Sequence, residues 1–172
     1  QCDDGSCDII TYDDCVVGPP PPPPPPYDCS NDPISCDGQT YVPDDNFEAY
    51  LEANGMGNGA MDDYVTTANI CNITHLQTIM SLNISDLTGI EDFASLTHLW
   101  CQDNQLTSID VSRLCYLERF HCEVNQLTSL DVSNNQFLRS FDCNNNLLTS
   151  LDVSNNHNMG NPGIFHVWSN PN

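Results

Sequence analysis

A repeat of 21 residues in the second half of the chain constrains the fold more than any other feature. Three blocks align without a gap, at 96–116 (LTHLWCQDNQLTSIDVSRLCY), 117–137 (LERFHCEVNQLTSLDVSNNQF) and 138–158 (LRSFDCNNNLLTSLDVSNNHN). Each block is predicted to form one turn of a coil, because equivalent apolar residues of successive turns can then stack in columns and bury one another. The predicted columns are Leu96/Leu117/Leu138, Leu99/Phe120/Phe141, Cys101/Cys122/Cys143, Leu106/Leu127/Leu148, Ile109/Leu130/Leu151 and Val111/Val132/Val153.

Incomplete units flank these blocks. A degenerate unit, one residue shorter than the repeat, precedes the first block. A second incomplete unit, which keeps only part of the repeat pattern, follows the third block and has Ile164 in the cysteine column. Each coil is predicted to contribute a short strand, near 99–101, 120–122 and 141–143, and adjacent strands pair in parallel about 4.8 Å apart. The apolar residues of the degenerate unit are Leu76, Ile79, Leu87, Ile90 and Phe93.

An asparagine follows each predicted strand. Its amide can pair backbone groups of its own coil and of the adjacent coil, which burial would otherwise leave without partners. The structural asparagine column therefore consists of Asn104, Asn125 and Asn146.

The block pattern L-x-x-L-x-C-x-x-N-x-L-x-x-L resembles a leucine-rich repeat. Together, YVPDDNFEAYLEANGMGNGAMDDYVTTANI (41–70) and SLNISDLTGIEDFASLTHLWCQDNQLTSIDVS (81–112) resemble bacterial cell-surface leucine-rich-repeat proteins of the internalin-like kind. The resemblance spans about residues 41–160 and implies a leucine-rich-repeat solenoid with a short parallel β-sheet, a mostly irregular convex side and a small α-helical N-terminal cap. It also implies a non-catalytic protein used for adhesion and recognition.

Five regions are predicted along the chain. Residues 1–18 form an acidic, cysteine-rich arm, 19–26 an octaproline, and 27–40 a second cysteine-rich loop. The octaproline can only be a polyproline II rod, extended by about 3.1 Å per residue. Residues 41–70 form the helical cap, and 71–172 form the repeats of about 21 residues.

The cap is predicted to contain a helix over 43–54. Pro43 suits the first turn of a helix, and Asn54 followed by Gly55 stops it. One apolar stripe would cover the open end of the coil, and it consists of Phe47, Tyr50 and Leu51.

The charge balance excludes two classes of partner. The chain has 24 acidic residues against three arginines and no lysine, which gives a net charge of −21. A protein that binds nucleic acids or anionic membranes needs clustered basic residues. Ten cysteines, together with Gln1 in place of an initiator Met, favour a mature secreted protein whose signal peptide has been removed. We therefore expect an extracellular or cell-surface location.

The cysteines divide into two sets. The column Cys101, Cys122 and Cys143 is predicted to be buried and apolar in behaviour. Cys2–Cys7 and Cys29–Cys36 could close short loops, and Cys15 would then pair with Cys71 or Cys115. Because the second set has an odd number, one thiol is free or bonds another chain. The disulfide candidates are Cys2, Cys7, Cys15, Cys29, Cys36, Cys71 and Cys115.

Outward-facing strand residues are predicted to form the contact surface. They make three rows, which are Trp100/His121/Asp142, Gln102/Glu123/Asn144 and His98/Arg119/Ser140. The first two rows are the candidate partner-binding residues, with Trp100 beside His121 as the anchor. A solvated face without a partner and a metal site at His121, Glu123 and Asp142 are the alternatives. A catalytic set would need a pocket, and a thin solenoid offers none.

Calcium is the one cofactor that the sequence leaves open. The loop 54–63 supplies oxygen atoms from Asn58, Asp62 and Asp63, although it lacks the terminal glutamate of a calcium-loop motif. A ladder of aspartates one coil apart is favoured as a series of Asx turns rather than as calcium ligands. This ladder is Asp110, Asp131 and Asp152.

Two N-x-S/T triplets begin at Asn72 and Asn83 and make these residues candidate glycosylation sites. Asn83 has an alternative role as the ladder asparagine of the degenerate unit, which would bury it. Asn72 is therefore the better candidate.

These features favour an extracellular, non-enzymatic structural and adhesive module. We expect head-to-tail assembly with other copies into a surface fibre, through an uncapped strand edge near Ile164–Trp168 and through the N-terminal arm and rod. The alternative is a monomeric adhesin or recognition domain of a larger secreted protein, which binds a protein or glycan through the concave sheet face.

Overall fold

The computed structural model describes residues 36–159, 165–167 and 169–170. Several sequence predictions fall outside these residues. They concern the arm 1–18, the octaproline 19–26, most of the loop 27–40, Ile164, Trp168 and the cysteines Cys2, Cys7, Cys15 and Cys29.

A leucine-rich-repeat solenoid forms the larger part of the described chain, which confirms the predicted fold class. Its strands are β3 His75–Leu76, β4 His98–Trp100, β5 Arg119–His121, β6 Ser140–Asp142 and β7 Phe165–His166. They lie in this order in one sheet, and every neighbouring pair is parallel. The three strands of the perfect blocks each begin one residue earlier than predicted. Between the strands the chain is mostly irregular, with a 3-10 turn at Ile90–Asp92.

The register confirms the 21-residue step in the middle of the sheet and corrects it at both ends. Leu99 pairs with Phe120, and Phe120 pairs with Phe141. In the first coil Leu76 pairs with Leu99, 23 positions later, so this coil is longer than the repeat and the prediction of a shorter one was wrong. In the last coil Phe141 pairs with Phe165, 24 positions later. The strand pairing of the last coil therefore departs from the 21-residue step.

The core is a continuous stack of the predicted columns. The columns Leu96/Leu117/Leu138, Leu99/Phe120/Phe141 and Cys101/Cys122/Cys143 are fully buried. The predicted column Ile109/Leu130/Leu151 is only partly buried and packs against this core. The rings of Phe120 and Phe141 stack with centroids 5.7 Å apart. Cys101, Cys122 and Cys143 are buried with free thiols, as predicted, and the Sγ of Cys101 lies 3.6 Å from the carbonyl oxygen of His121 in the next coil.

Asparagine amides join each coil to the next. The Oδ1 of Asn125 accepts from the backbone N–H of Leu106 at 3.0 Å, and its Nδ2 donates to the carbonyls of Cys101 and Cys122. Asn104 and Asn146 make equivalent bonds. Buried backbone groups at each turn off the strand are thereby paired.

A second asparagine ladder runs along the opposite side of the core. Asn135 is fully buried and its Nδ2 donates to the carbonyls of Val111 and Leu114. Asn156 repeats the arrangement one coil later. The sequence analysis missed this ladder because Leu114 fills the same position in the first block and breaks the pattern.

The N-terminal cap is built from a helix and a small antiparallel sheet. The cap has two paired strands, β1 Gln39–Tyr41 and β2 Tyr64–Thr66. Helix α1 Asp45–Ala53 lies between them in the sequence, and the short helix α2 Thr67–Ile70 follows β2. Pro43 precedes the N-cap residue Asp44, so its predicted place in the first turn was wrong. Phe47 is fully buried and stacks on Phe93 of the first coil, with ring centroids 6.3 Å apart.

Asp44 fastens this cap to the solenoid. One carboxylate oxygen accepts from the N–H groups of Asn46 and Phe47 at the start of α1. The other accepts from the backbone and hydroxyl of Ser85 and from the N–H of Asp86. Burial alone would raise the pKa of Asp44, but these hydrogen bonds outweigh it and hold the pKa below the usual value of 3.8.

The disulfide pattern differs from one of the predicted pairings. Cys36 is bonded to Cys71, so the predicted Cys29–Cys36 pair was wrong, and Cys71 is not the partner of Cys15. The Cys36–Cys71 bond instead joins the start of the cap to the start of the first coil. Cys115 is also disulfide-bonded.

No helix within the described ranges is long and apolar enough to cross a membrane.

Candidate interaction face

Residues of the three predicted rows form one face of the sheet, which we call the recognition face. The register places the members of the first and third rows side by side on β4, β5 and β6. The structure adds His75 to the third row and His166 to the first row. Sequence analysis missed both residues because they lie in the coils whose lengths depart from the 21-residue period.

The first row is an aromatic and charged ladder. The rings of Trp100 and His121 stack with centroids 5.5 Å apart and an angle of 18° between their planes. The Nε2 of His121 lies 3.1 Å from the hydroxyl of Ser140, and the Nδ1 of His166 lies 3.0 Å from a carboxylate oxygen of Asp142. Burial lowers the pKa of His121, which keeps this ring neutral at pH 7.

The third row carries a second stack of rings. His75 and His98 lie with ring centroids 4.2 Å apart. Burial, followed by the nearby His75 and Arg119, lowers the pKa of His98. Ser140 is only 8% exposed, so it adds little contact area although it belongs to this row.

The second row lies just beyond the strands rather than on them. Gln102, Glu123 and Asn144 each follow the last residue of their strand by two positions, so the prediction that they are strand residues was wrong. At Asn144 the chain already turns, because its backbone N–H donates to the Oδ1 of Asp142 at 3.1 Å. The carbonyl of Asn144 accepts from the N–H of Val124 at 2.9 Å, so a backbone hydrogen bond joins this position to the preceding coil. Asn144 is half-buried at the rim of the face, and its part in binding stays a prediction.

Three buried polar atoms, two in this row and one in the first row, have no hydrogen-bond partner. The Oε1 of Gln102 and the Oε2 of Glu123 are buried and accept no hydrogen bond, and the Nε1 of Trp100 beside them donates none. Burial raises the pKa of Glu123, because the charged carboxylate loses water there. A buried polar atom without a partner costs about 1–3 kcal/mol. These three atoms have almost no surface open to solvent, so a ligand does not reach them in this conformation.

The described thiols are poorly suited to nucleophilic chemistry. Burial raises the pKa of Cys101 and Cys122 well above the usual value, and it raises the pKa of Cys143 to about 12. The thiolate is the reactive form, so these thiols are inert at neutral pH. The recognition face offers aromatic surface and hydrogen bonds, which suit binding.

The candidate calcium oxygens take part in local hydrogen bonds. The Oδ1 of Asn58 accepts from the N–H of Ala60, and the Oδ1 of Asp62 accepts from the N–H of Tyr64. Asp63 has a positive φ of 65°. Calcium binding in this loop stays a prediction.

The predicted alternative of a metal site at His121, Glu123 and Asp142 finds no support. Within the described ranges, no group of three or more His, Cys, Asp or Glu residues is arranged to hold a metal ion. His121, Glu123 and Asp142 lie in these ranges and do not form such a group.

The aspartate ladder consists of Asx turns, as predicted. Asp110, Asp131 and Asp152 each accept from the backbone N–H two residues later, at 2.8–2.9 Å. Hydrogen bonds from Ser133 lower the pKa of Asp131.

Both glycosylation triplets are accessible. Asn72 and Asn83 are exposed, so the prediction that a ladder role would bury Asn83 was wrong. The Oδ1 of Asn104 bonds the N–H groups of Leu82 and Ile84 instead, which leaves the Asn83 side chain outside the core. Sugar attachment at either asparagine stays a prediction.

Two solved structures from Listeria monocytogenes are similar to this chain. One is the functional domain of InlJ, which includes a cysteine ladder; it matches with a TM-score of 0.65 and 31% identity over 74% of this chain and 28% of that chain. The other is the internalin InlF of strain 4b F2365, with a TM-score of 0.60 and 25% identity over 69% of this chain and 35% of that chain. The present chain thus spans about a third or less of each. No family model and no curated protein matches it.

Proposed function

Because this chain is an internalin-like leucine-rich-repeat protein, we propose that it is a non-enzymatic, extracellular recognition module whose recognition face binds a protein or glycan. The observation that carries the proposal is the half-buried Trp100–His121 ring stack on the recognition face. Half-buried aromatic residues flanked by polar groups are typical of the energetic centre of an interface. The Cys36–Cys71 disulfide supports an oxidising compartment, where such bonds persist.

Substitution of the anchor tests this proposal. A panel of purified cell-surface proteins and immobilised glycans is screened by biolayer interferometry with the wild-type chain. For each ligand found, Trp100→Ala is expected to weaken binding at least tenfold, since truncating a central aromatic anchor costs about 2 kcal/mol or more.

Tyr41→Ala is the matched control. Tyr41 is an aromatic residue with 47% of its surface exposed, but it lies on β1 in the cap. Ligands that bind Trp100→Ala as tightly as wild type, or that are lost only with Tyr41→Ala, contradict a binding site on the recognition face.

Head-to-tail assembly into a fibre is the second proposal, and the outer strand of the sheet supports it. β7 is the last strand in the described order, and its flank presents Phe165 and Val167, each 39% exposed. Exposed strand edges favour pairing with another chain. Analytical ultracentrifugation should show concentration-dependent polymers that Phe165→Lys disrupts. A single monomer species at every concentration contradicts assembly.

A further inference from the structure

A second aromatic surface lies beside the sheet, outside the recognition face. Tyr116 and Phe137 end successive repeat blocks and are 48% and 52% exposed. Their rings lie with centroids 6.5 Å apart and planes within 17° of each other. With Ser95, Thr97 and Glu118 they line a groove of about 400 Å³. Two large exposed aromatic rings side by side mark an interaction surface.

A disulfide bond lies next to the groove, and the possible partners of its cysteine can be narrowed to four. Cys115, next to Tyr116 in the chain, is disulfide-bonded. None of the other described cysteines is its partner, because two of them bond each other and the three column cysteines have free thiols. The remaining cysteines of the chain are Cys2, Cys7, Cys15 and Cys29, and the last two flank the octaproline Pro19–Pro26.

The chemistry of the groove is complementary to such a segment. Proline-rich segments in the polyproline II conformation dock on grooves lined by aromatic residues. Because proline has no N–H, an octaproline offers only carbonyl acceptors. The groove supplies hydroxyl donors from Ser95 and Tyr116 and apolar ring surface from Phe137. One turn of a polyproline II helix is three residues and about 9 Å long, which suits a contact with two adjacent coils.

Charge favours the same occupant. Residues 1–35 contain seven aspartates and no base. All three arginines of the chain lie within 113–139, and Arg139 lies 3.6 Å from the carboxylate of the groove residue Glu118. Arg113 is two positions from Cys115 in the sequence and pairs with Asp92. These arginines offset negative charge, so this part of the chain repels an acidic arm less than the arginine-free remainder does.

We propose that the octaproline Pro19–Pro26 binds in the Tyr116–Phe137 groove of its own chain, fastened by a disulfide between Cys115 and either Cys15 or Cys29. The arm thereby lies along the side of the solenoid and leaves the recognition face open. A protein or glycan that approaches this side meets the octaproline first.

Nitration of tyrosine by tetranitromethane, read out peptide by peptide with mass spectrometry, tests the contact. The full chain is compared with a variant in which Pro19–Pro26 is replaced by eight alternating Gly and Ser residues. Nitration of Tyr116 is expected to be several-fold faster in the variant, while Tyr41 in the cap reacts equally in both. Equal rates at Tyr116 overturn the proposal.

A non-reducing peptide map of both proteins identifies the partner of Cys115 independently. A bond to Cys15 or Cys29 within a chain of monomeric mass supports the proposal. A bond to Cys2 or Cys7, or to another chain, overturns it. Shielding of Tyr116 that disappears on dilution assigns the groove to the octaproline of a second copy and likewise overturns binding within one chain.

Discussion

Val124 adopts a left-handed backbone conformation with φ 56°, at the position where Asp103 and Asn145 do the same in the adjoining coils. Asp and Asn tolerate this region because their short polar side chains can bond locally, whereas a β-branched residue clashes there. Val124 is 45% exposed, so its side chain contributes little packing in return. The sequence alignment shows the three residues at one position, but it does not show the sign of φ.

Val124→Asn should therefore stabilise the protein by about 1 kcal/mol, since the left-handed conformation costs roughly 1–2 kcal/mol for an ordinary residue. Urea denaturation followed by circular dichroism measures the change. Asn145→Val is the matched control one coil later and should destabilise by a similar amount. Equal midpoints for Val124→Asn and wild type contradict strain at this position.

The column cysteines should resist alkylation in the folded protein. Burial raises the pKa of the thiols of Cys101 and Cys122, so that almost no thiolate forms at neutral pH. Iodoacetamide labelling with peptide mass spectrometry should find these two thiols unmodified in buffer and fully modified in guanidinium chloride. Labelling of Cys101 in buffer at the rate of the unfolded chain would show that the column opens locally.

At the scale of elements, the cap depends on one carboxylate. Asp44 closes the first turn of α1 and also binds Ser85 and Asp86 of the first coil. The sequence predicts a helix here but does not identify Asp44 as its N-cap residue, because Pro43 is expected in the first turn. It does not predict the bond to Ser85, which is 41 residues away and follows from how the cap sits on the coil.

Asp44→Ala should reduce the free energy of unfolding by about 3 kcal/mol, from the lost N-cap together with buried N–H groups left unpaired. Asp45→Ala is the matched control. Asp45 is exposed in the same turn and interacts only with the helix dipole, which is worth about 0.3–1 kcal/mol. Chemical denaturation of both variants measures the difference, and equal losses contradict the role of Asp44.

The same variant has a pH signature. The folded pKa of Asp44 is depressed, so its stabilisation is fully present above the unfolded value of about 3.8 and is lost as the pH falls through the folded pKa. The stability difference between wild type and Asp44→Ala should therefore shrink below pH 4. A difference that stays constant to pH 2 would show that folding does not depress the pKa of Asp44.

At the scale of the whole molecule, four of the five histidines lie on the recognition face. Burial lowers the pKa of His98 and His121. Protonation therefore costs more in the folded state than in the unfolded chain. Stability from these rings is complete above the unfolded pKa of about 6.5 and falls as the pH drops below it.

The melting temperature should therefore fall between pH 7.5 and about pH 5.5, the range around the unfolded pKa of histidine. The double variant His98→Gln/His121→Gln should lose this dependence, while His157→Gln, an exposed residue outside the sheet, should keep it. Differential scanning calorimetry measures all three proteins. A slope that survives in the double variant would assign the effect to other groups. Glu123 is not one of them, because its raised pKa makes the stability rise as the pH falls.

The sequence predicts the middle of the molecule better than its ends. Periodicity identifies the columns and strands from Leu96 to Leu148, because stacking requires equal steps. The first and last coils depart from the period, so the places of His75 and His166 emerge only from strand pairing. The Cys36–Cys71 bond likewise depends on how the cap folds back onto the first coil, which has no periodic signature.

The two asparagine ladders have a consequence for how such a chain can change its length. Each amide reaches backward into the coil before it, as Asn146 does to Cys122 and Asn156 does to Val132. A gene duplication or deletion of 21 codons within the three blocks leaves every amide with the same neighbours. The first coil, 23 residues long, keeps the same bonds to Asn104, so a coil can also lengthen where the extra residues lie away from the amide's partners. The molecule is thus open to growth in whole units and to small insertions between the ladder positions.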